Sequence, residues 1–488
     1  MDLIKRFNLV IYFHPDKIPR ICETQEITFM TSTIEAPTST QSSLALLGGE
    51  KTVQLPADDM FTWPIVTKED EDAVLEVLRA GAMSGTDITK KFEAEFATWQ
   101  GTKFALGYHN GTAALQAAMF GCGIGRGDEI ISPSLTYWAS ILPCFGLGAT
   151  TVFAEVDPVS LCIDPNDIEH RITKNTKAIM VVHYVGYPCD MDPIMEIAKR
   201  HNLKVIEDVS HAQGGFYKGR KVGSIGDVGA MSLMSGKSFA TGEAGIMVTD
   251  NQEIYDRAVA FGHYDRYTKD IATDALKPYA GLPLGGIKGR VNQLSAAMGR
   301  VQLKYYDERC AEIDKAMTYF WDQLKDVPGI RAHRVDKSDG STMGGWYCTL
   351  GQYVSEELDG LSLSRFCQAV AAEGAGFSPG CNAPLHLHPV FNDCDIYHDG
   401  KPTRIAFSDR DLRQPAGSLP VTEAVNSRVF HVPWFKKCRT EQIDQYVNAI
   451  KKVAENYKEL LAEDTKQKVV GSTGLTARKE TATNKVTA

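Results

Sequence analysis

The sequence predicts an α/β fold built on a mostly parallel sheet, followed by a smaller α+β domain. Three observations carry that expectation. Short apolar runs alternate with amphipathic stretches from about residue 67 to residue 208, the pattern of successive βαβ units. The run Ala178–Val182 is apolar at every position, as a strand buried on both faces of a parallel sheet requires. From about residue 310 the alternation gives way to long helical patterns around shorter strand-like pieces. At roughly 100–200 residues per domain, a chain of 488 residues has room for both.

Taken in order, residues 1–60 read as an N-terminal arm, with Thr31–Ser43 rich in Thr, Ser and Pro. Thr67 reads as an N-cap with Asp70 three residues on, opening a helix whose Ala73, Val74, Val77 and Leu78 share one face. A short strand, Phe104–Leu106, leads into a helix over 111–120. Further strands are expected at Glu129–Ser132, Thr151–Ala154, Ala178–Val182 and Lys204–Glu207, with a helix at Pro193–His201 before the last. A large domain over 61–310 then gives way to a small one over 311–464. The small one takes helical patterns at Val301–Leu324 and Thr440–Leu461 and strand-like pieces at Trp346–Leu350 and Arg428–His431. Residues 465–488, without an aromatic, read as a disordered, solvated tail.

Composition removes several classes. Hydrophobic residues make up 43% and charged residues 23%, an ordinary globular balance. The 52 Lys and Arg against 61 Asp and Glu leave a net charge of -9, which argues against nucleic-acid binding. No apolar run approaches the ~20 residues needed to span a bilayer. The opening residues lack a small-residue cleavage site and make a poor signal peptide. Eleven scattered cysteines with no C-x-x-C pair suggest neither a disulfide framework nor a zinc site, so a reducing, cytoplasmic setting is expected.

Ligands of parallel sheets sit beyond the carboxyl ends of the strands, so the residues after each strand are where chemistry is sought. Some motifs fail there. The SGKS at 235–238 is not a phosphate-binding P-loop, because Met231 stands where Gly is required. The glycines at 121–127 miss the dinucleotide pattern, with Arg126 and Asp128 at the third-glycine positions. His386 and His388 lack accompanying metal ligands, and a plain loop is the favoured reading, with no metal expected.

Four segments remain, and each also has a plain structural reading. Gly111-Thr112 opens a helix whose first N–H groups form an anion site, or simply follows a helix cap. Asp208 ends a buried strand, either facing a cationic heterocyclic nitrogen or capping the next turn. Lys237, among small residues after Ser232, suits a Schiff-base lysine, or is one of many solvated lysines. Tyr137 and Trp138 follow a strand, where an aromatic face stacks a flat ring or packs in the core. Together the four make a phosphate cradle, an acid for a ring nitrogen, an amine for an aldehyde and a ring face, the set that pyridoxal 5'-phosphate needs.

From about Thr62 to Leu461 the chain resembles the DegT/StrS sugar aminotransferases. The resemblance rests on PSLTYWAS, NGTAAL, VVHYVGYPCDMDPI, VIEDVSHAQGG, GRKVGSIGDVGAMSLMSGKSFATGEAGIMVTD and QLSAAMGRVQL. It implies fold type I with a seven-stranded sheet and a pyridoxal-phosphate-dependent transaminase. Such an enzyme moves an amino group from glutamate or glutamine to a keto-sugar or cyclitol ketone, in amino sugar or aminocyclitol biosynthesis. Lys237 is implied as the Schiff-base lysine and proton shuttle, and Asp208 as partner of the pyridine nitrogen. Gly111, Thr112 and Ser232 are implied as phosphate binders, and Tyr137 as the aromatic over the ring. His211 stands where the family usually has Gln near the phenolic oxygen. His183 is a candidate for ligand contact. The family's G-x-N-x-R segment, which reaches the neighbouring subunit's phosphate across a two-fold homodimer, reads here as Gly286-Ile287-Lys288-Gly289-Arg290, with Lys288 at the Asn position. Arg266, Lys269, Lys288 and Arg290 form either an anchor for a nucleotide-linked substrate or ordinary solvated loops. Lys237 argues against a dehydratase of the same family, in which His replaces the lysine. A family member that only binds or regulates is the reading from a different class.

Overall fold

The computed structural model describes residues 42–56, 58–263 and 271–472. Helix α1 (Lys68–Arg79) starts where the sequence signals it: Thr67 Oγ1 accepts from Asp70 N–H while the Asp70 carboxylate accepts from Thr67 N–H at 2.8 Å. Helix α2 (Asp87–Gln100), not anticipated from the pattern, buries Phe92 and Phe96 one turn apart. Then follow β1 (Phe104–Tyr108), α3 (Gly111–Gly121), β2 (Glu129–Pro133), β3 (Thr150–Ala154), α4 (Pro165–Arg171), β4 (Thr176–Val182), α5 (Met191–His201) and β5 (Lys204–Asp208). All but α4 coincide with segments that the periodicity marks. A hairpin of β6 (Phe216–Tyr217) and β7 (Arg220–Lys221) precedes β8 (Val228–Ser232), β9 (Gly245–Thr249), α6 (Gln252–Gly262) and the 30-residue α7 (Gln293–Asp322).

Seven of these strands form one α/β sheet in the order β1-β9-β8-β5-β4-β2-β3. Strands β3, β2, β4, β5 and β8 run parallel, and β9 is antiparallel to both of its neighbours. The register pairs Val182 with Asp208 and Asp208 with Ala230, so the carboxyl ends of β4, β5 and β8 finish at one edge. Two glycines allow the close packing at that edge. A Cβ on Gly111 would lie 2.6 Å from Ser232 Cβ, and one on Gly245 would lie 2.3 Å from Asn110 O.

The rest of the chain adds β10 (Ile330–Ala332), β11 (Leu350–Tyr353), α8 (Leu363–Ala372), β12 (Ser378–Pro379), α9 (Pro389–Asn392), α10 (Pro420–Ala424), β13 (Val429–His431) and α11 (Thr440–Glu455). A four-stranded antiparallel sheet takes the order β10-β11-β13-β12. The strand expected at Trp346–Leu350 begins only at Leu350. Trp346 and Cys348 have φ of 53° and 55°, left-handed values that interrupt an extended chain. Helix α7 runs unbroken past residue 310. Ala296 and Tyr306 pack into the core around the large sheet, and Ile313, Met317 and Phe320 into the core around the small one.

Two expectations at the ends are corrected for the residues described. Leu44 and Met60 are fully buried in the second core, and Glu373 accepts from the backbone N–H of Ala45 and Thr52, so 42–60 is no loose arm there. Within 465–472 most side chains are exposed, as a solvated tail expects, but the backbone is tied down. Val469 packs against the second core, and Ser472 pairs with Asn382. The remainder of both expected segments, residues 1–41 and 473–488, lies outside the described residues. Among the described residues no helix is long and apolar enough to cross a membrane.

Candidate active site

Beyond the strand ends lies a cavity of about 570 Å³, and Gly111, Thr112, Tyr137, Asp208, His211, Ser232 and Lys237 all line it. The fold thus brings seven of the ten sequence-derived candidates to one place, drawn from four separate segments.

The anion end is built by α3. Asn110 caps it, its Oδ1 accepting from Ala113 N–H at 2.8 Å and its carbonyl from Ala114 N–H at 3.2 Å. As first-turn residues, Gly111 and Thr112 have N–H groups with no carbonyl one turn earlier to bond, and the helix dipole adds to their pull on an anion. Ser232, at the end of β8, faces the same corner and is fixed there: its N–H donates to Ser210 Oγ at 3.0 Å, and its carbonyl accepts from Gln213 Nε2 at 2.6 Å.

The acid is Asp208, 4% exposed at the end of β5. Ser140 Oγ donates to its Oδ2 at 2.7 Å and Ser210 N–H to its Oδ1 at 3.0 Å, and Thr136 Oγ1 steadies Ser140 at 2.8 Å. Each oxygen keeps capacity for one more donor, so the carboxylate is oriented but not saturated.

The amine is Lys237, 9% exposed. Its Nζ sits 4.1 Å over the Tyr347 ring and makes no ion pair among the described residues. Burial lowers its pKa, against the opposing pull of Cys348 and of the Asp208 carboxylate. The backbone around it is braced: Lys237 N–H donates to Met234 O at 2.8 Å, and Trp63 Nε1–H donates to Lys237 O at 2.8 Å. The His211 ring lies beside Tyr347, ring centroids 4.8 Å apart. Its Nδ1 accepts from Val185 N–H at 3.3 Å, which leaves the ring proton on Nε2. Burial, then the Lys237 charge, hold its pKa well below the ordinary histidine value, so it is neutral.

His183 is a correction. It is fully buried and absent from the cavity wall, donating from Nε2 to Glu207 Oε2 at 3.0 Å and accepting Cys189 N–H on Nδ1 at 3.0 Å. The cause is strand alternation. Val182 and Asp208, paired across β4 and β5, line the cavity, so the adjacent His183 and Glu207 turn the other way. Lys288 is exposed and Arg290 half-buried, and neither lines the cavity of its own chain. Arg266 and Lys269 lie outside the described residues. The cavity also takes in Glu243, inside a quoted motif but given no role there, and Tyr347, Cys348 and Asn382, which lie outside every motif.

The donor set fits pyridoxal phosphate: one cavity gathers helix-start N–H groups, an unsaturated carboxylate and a buried amine without a counter-ion among the described residues. Known proteins agree on the family. A model of the DegT/DnrJ/EryC1/StrS aminotransferase family matches residues 64–451. GDP-perosamine synthase of Caulobacter vibrioides is 37% identical over 369 residues, 73% of this chain and 96% of that protein. L-glutamine:2-deoxy-scyllo-inosose aminotransferase of Streptoalloteichus tenebrarius is 32% identical over 384 residues, 76% of this chain and 88% of that protein. Among solved structures, an aminotransferase from Psychrobacter cryohalolentis is 32% identical, with a TM-score of 0.70 over 81% of this chain and 98% of that one.

Proposed function

The chain belongs to the DegT/DnrJ/EryC1/StrS aminotransferase family, and we propose that it is a pyridoxal-phosphate-dependent enzyme moving an amino group from glutamate or glutamine to the ketone of a sugar or cyclitol. The observation that carries the reading is the convergence of Lys237, Asp208 and the first turn of α3 on one cavity. The relatives' names, a synthase of GDP-perosamine and an aminotransferase acting on 2-deoxy-scyllo-inosose, support a sugar or cyclitol ketone as the acceptor class.

When bound, the cofactor supplies an aldehyde to take up the amino group and a ring that acts as electron sink. Gly111, Thr112 and Ser232 would hold its phosphate through N–H and hydroxyl groups, with the dipole of α3 favouring the dianion. The Asp208 carboxylate, aimed by Ser140 and Ser210, would keep a ring nitrogen protonated. Neutral His211 would donate its Nε2–H to the phenolic oxygen. Lys237 does the proton work. Its lowered pKa makes Nζ more readily available as a base than an exposed lysine, to take the α-proton of the amino donor and, in the reverse sense, return one to the acceptor carbon. Tyr347 lies under Nζ and helps to hold it in place. Lys288 and Arg290, absent from the lining of their own cavity, suit a homodimer in which each chain contributes to the partner's site. Ten free cysteines among the described residues support a reducing, cytoplasmic compartment.

The test is Lys237→Ala, reconstituted with pyridoxal phosphate. Amino transfer from glutamate or glutamine to keto-sugars and inososes should vanish together with the visible absorption of the reconstituted wild type. A variant that transfers normally overturns the assignment.

A further inference from the structure

Asn382 lies far from every motif that carries the aminotransferase reading, yet it lines the cavity that holds Lys237. Its side chain is oriented by Tyr184, whose hydroxyl donates to Asn382 Oδ1 at 2.6 Å. Its backbone is held by Asn426: Asn426 Nδ2 donates to Asn382 O at 3.0 Å, and Asn426 Oδ1 accepts from Cys381 N–H at 2.7 Å. The remaining side is closed by the segment that ends in Gly471 and Ser472. Ser472 forms a parallel bridge with Asn382, its N–H donating to Cys381 O at 2.9 Å and its carbonyl accepting from Ala383 N–H at 2.9 Å. The same carbonyl lies 3.4 Å from Asn382 Nδ2.

This approach is fitted to small residues. A Cβ on Gly471 would lie 2.6 Å from Ala383 N and 2.7 Å from both side-chain polar atoms of Asn426. A Cβ on Gly380 would lie 2.9 Å from Val469 Cγ1. The strap formed by 466–472 also stands beyond the span matched by the family, which ends at residue 451.

We propose that this C-terminal strap positions the Asn382 amide as a hydrogen-bond donor to an oxygen of the substrate in the active-site cavity. The chemistry follows from the pairing. Tyr184 occupies Oδ1, so Asn382 faces a ligand as a donor, and Ser472 O takes one of its two N–H bonds, leaving the other for a carboxylate or hydroxyl oxygen. Gly471 and Ser472 are positioning residues that act through Asn382. The inference rests on the aminotransferase reading of the cavity.

The experiment compares four proteins loaded with pyridoxal phosphate: the full chain, a chain ending at Ser472, a chain ending at Thr465, and Gly471→Val. Conversion of the cofactor absorption by L-glutamate and by L-glutamine gives KM and kcat for the donor. Alkylation of the buried Cys381 by iodoacetamide, read by peptide mass spectrometry, reports on the wall itself. The chain ending at Ser472 should match the full chain. The chain ending at Thr465 and Gly471→Val should raise the donor KM about two- to tenfold, the worth of one neutral hydrogen bond. Their kcat and cofactor absorption should be retained, and Cys381 should react about tenfold faster through easier local opening. Unchanged KM in both variants, or a fall in cofactor absorption and kcat at unchanged KM, overturns the proposal. A full chain that binds no cofactor overturns the function instead, with Cys381 alkylation still reporting on the strap.

Discussion

Replacing Glu207 by Gln tests the support beneath the site. The Glu207 side chain is fully buried and accepts four hydrogen bonds: His183 Nε2 at 3.0 Å and Gly223 N–H at 2.7 Å on Oε2, and Ile225 N–H at 2.8 Å and Gly226 N–H at 2.6 Å on Oε1. An amide must turn its NH2 toward one of those pairs, setting two buried donors against a third. At about 1–3 kcal/mol for each buried donor left unmade, Glu207→Gln should cost about 4 kcal/mol. The pH dependence has a definite sign. Burial pushes the Glu207 pKa up, but the hydrogen bond from His183 and those from the Gly226 and Gly223 N–H groups outweigh it, so the net shift is downward. Its ionised form therefore stabilises the fold fully above the unfolded carboxyl pKa of about 4.3, and that contribution fades as pH falls through the lower folded value. Urea unfolding midpoints of both proteins at pH 7 and at pH 3.5 measure the difference. A loss below about 1 kcal/mol at pH 7, or a gap that widens on acidification, refutes the reasoning.

Two further substitutions probe the cavity. His211 is held neutral by burial and by Lys237, so the unfolded chain takes up a proton below pH ~6.5 that the folded chain refuses. Stability of the wild type should fall by up to about 1.4 kcal/mol per pH unit as pH drops from there, and His211→Gln, followed by urea melts between pH 7 and 5, should flatten that slope. Gly111→Ala drives a methyl to 2.7 Å from Ser232 Cα. It should cost about 1–3 kcal/mol in a thermal melt and speed loss of pyridoxal phosphate on dialysis.

The parts legible in the sequence are those that local chemistry dictates. The Thr67–Asp70 pair announces the cap of α1, the apolar run at 178–182 announces a central strand, and Asp208 and Lys237 are placed by where their strands and loops end. Other parts arise only when distant segments meet. Tyr347 and Cys348 enter the cavity because left-handed residues turn the chain before β11, and Asn382 enters from beside β12. Neither position carries a local signal. His183 follows a strand end but faces away from the cavity, because a residue just past a strand has two faces and periodicity alone does not choose between them. Composition hides how Lys466–Ser472 is held: most of its side chains are polar or exposed, but backbone pairing and Val469 tie it down.

The position of β9 has a consequence for synthesis. Strand β1 lies at the rim of the large sheet, and its one neighbour there is β9, encoded more than a hundred residues later. Helix α3 springs directly from β1, so its seat against the sheet awaits translation through Thr249. A nascent chain shorter than that holds the first anion-binding N–H groups without the strand that fastens them. Ribosome-bound chains of increasing length should therefore gain protease resistance around residues 104–121 only once residue 249 has cleared the exit tunnel.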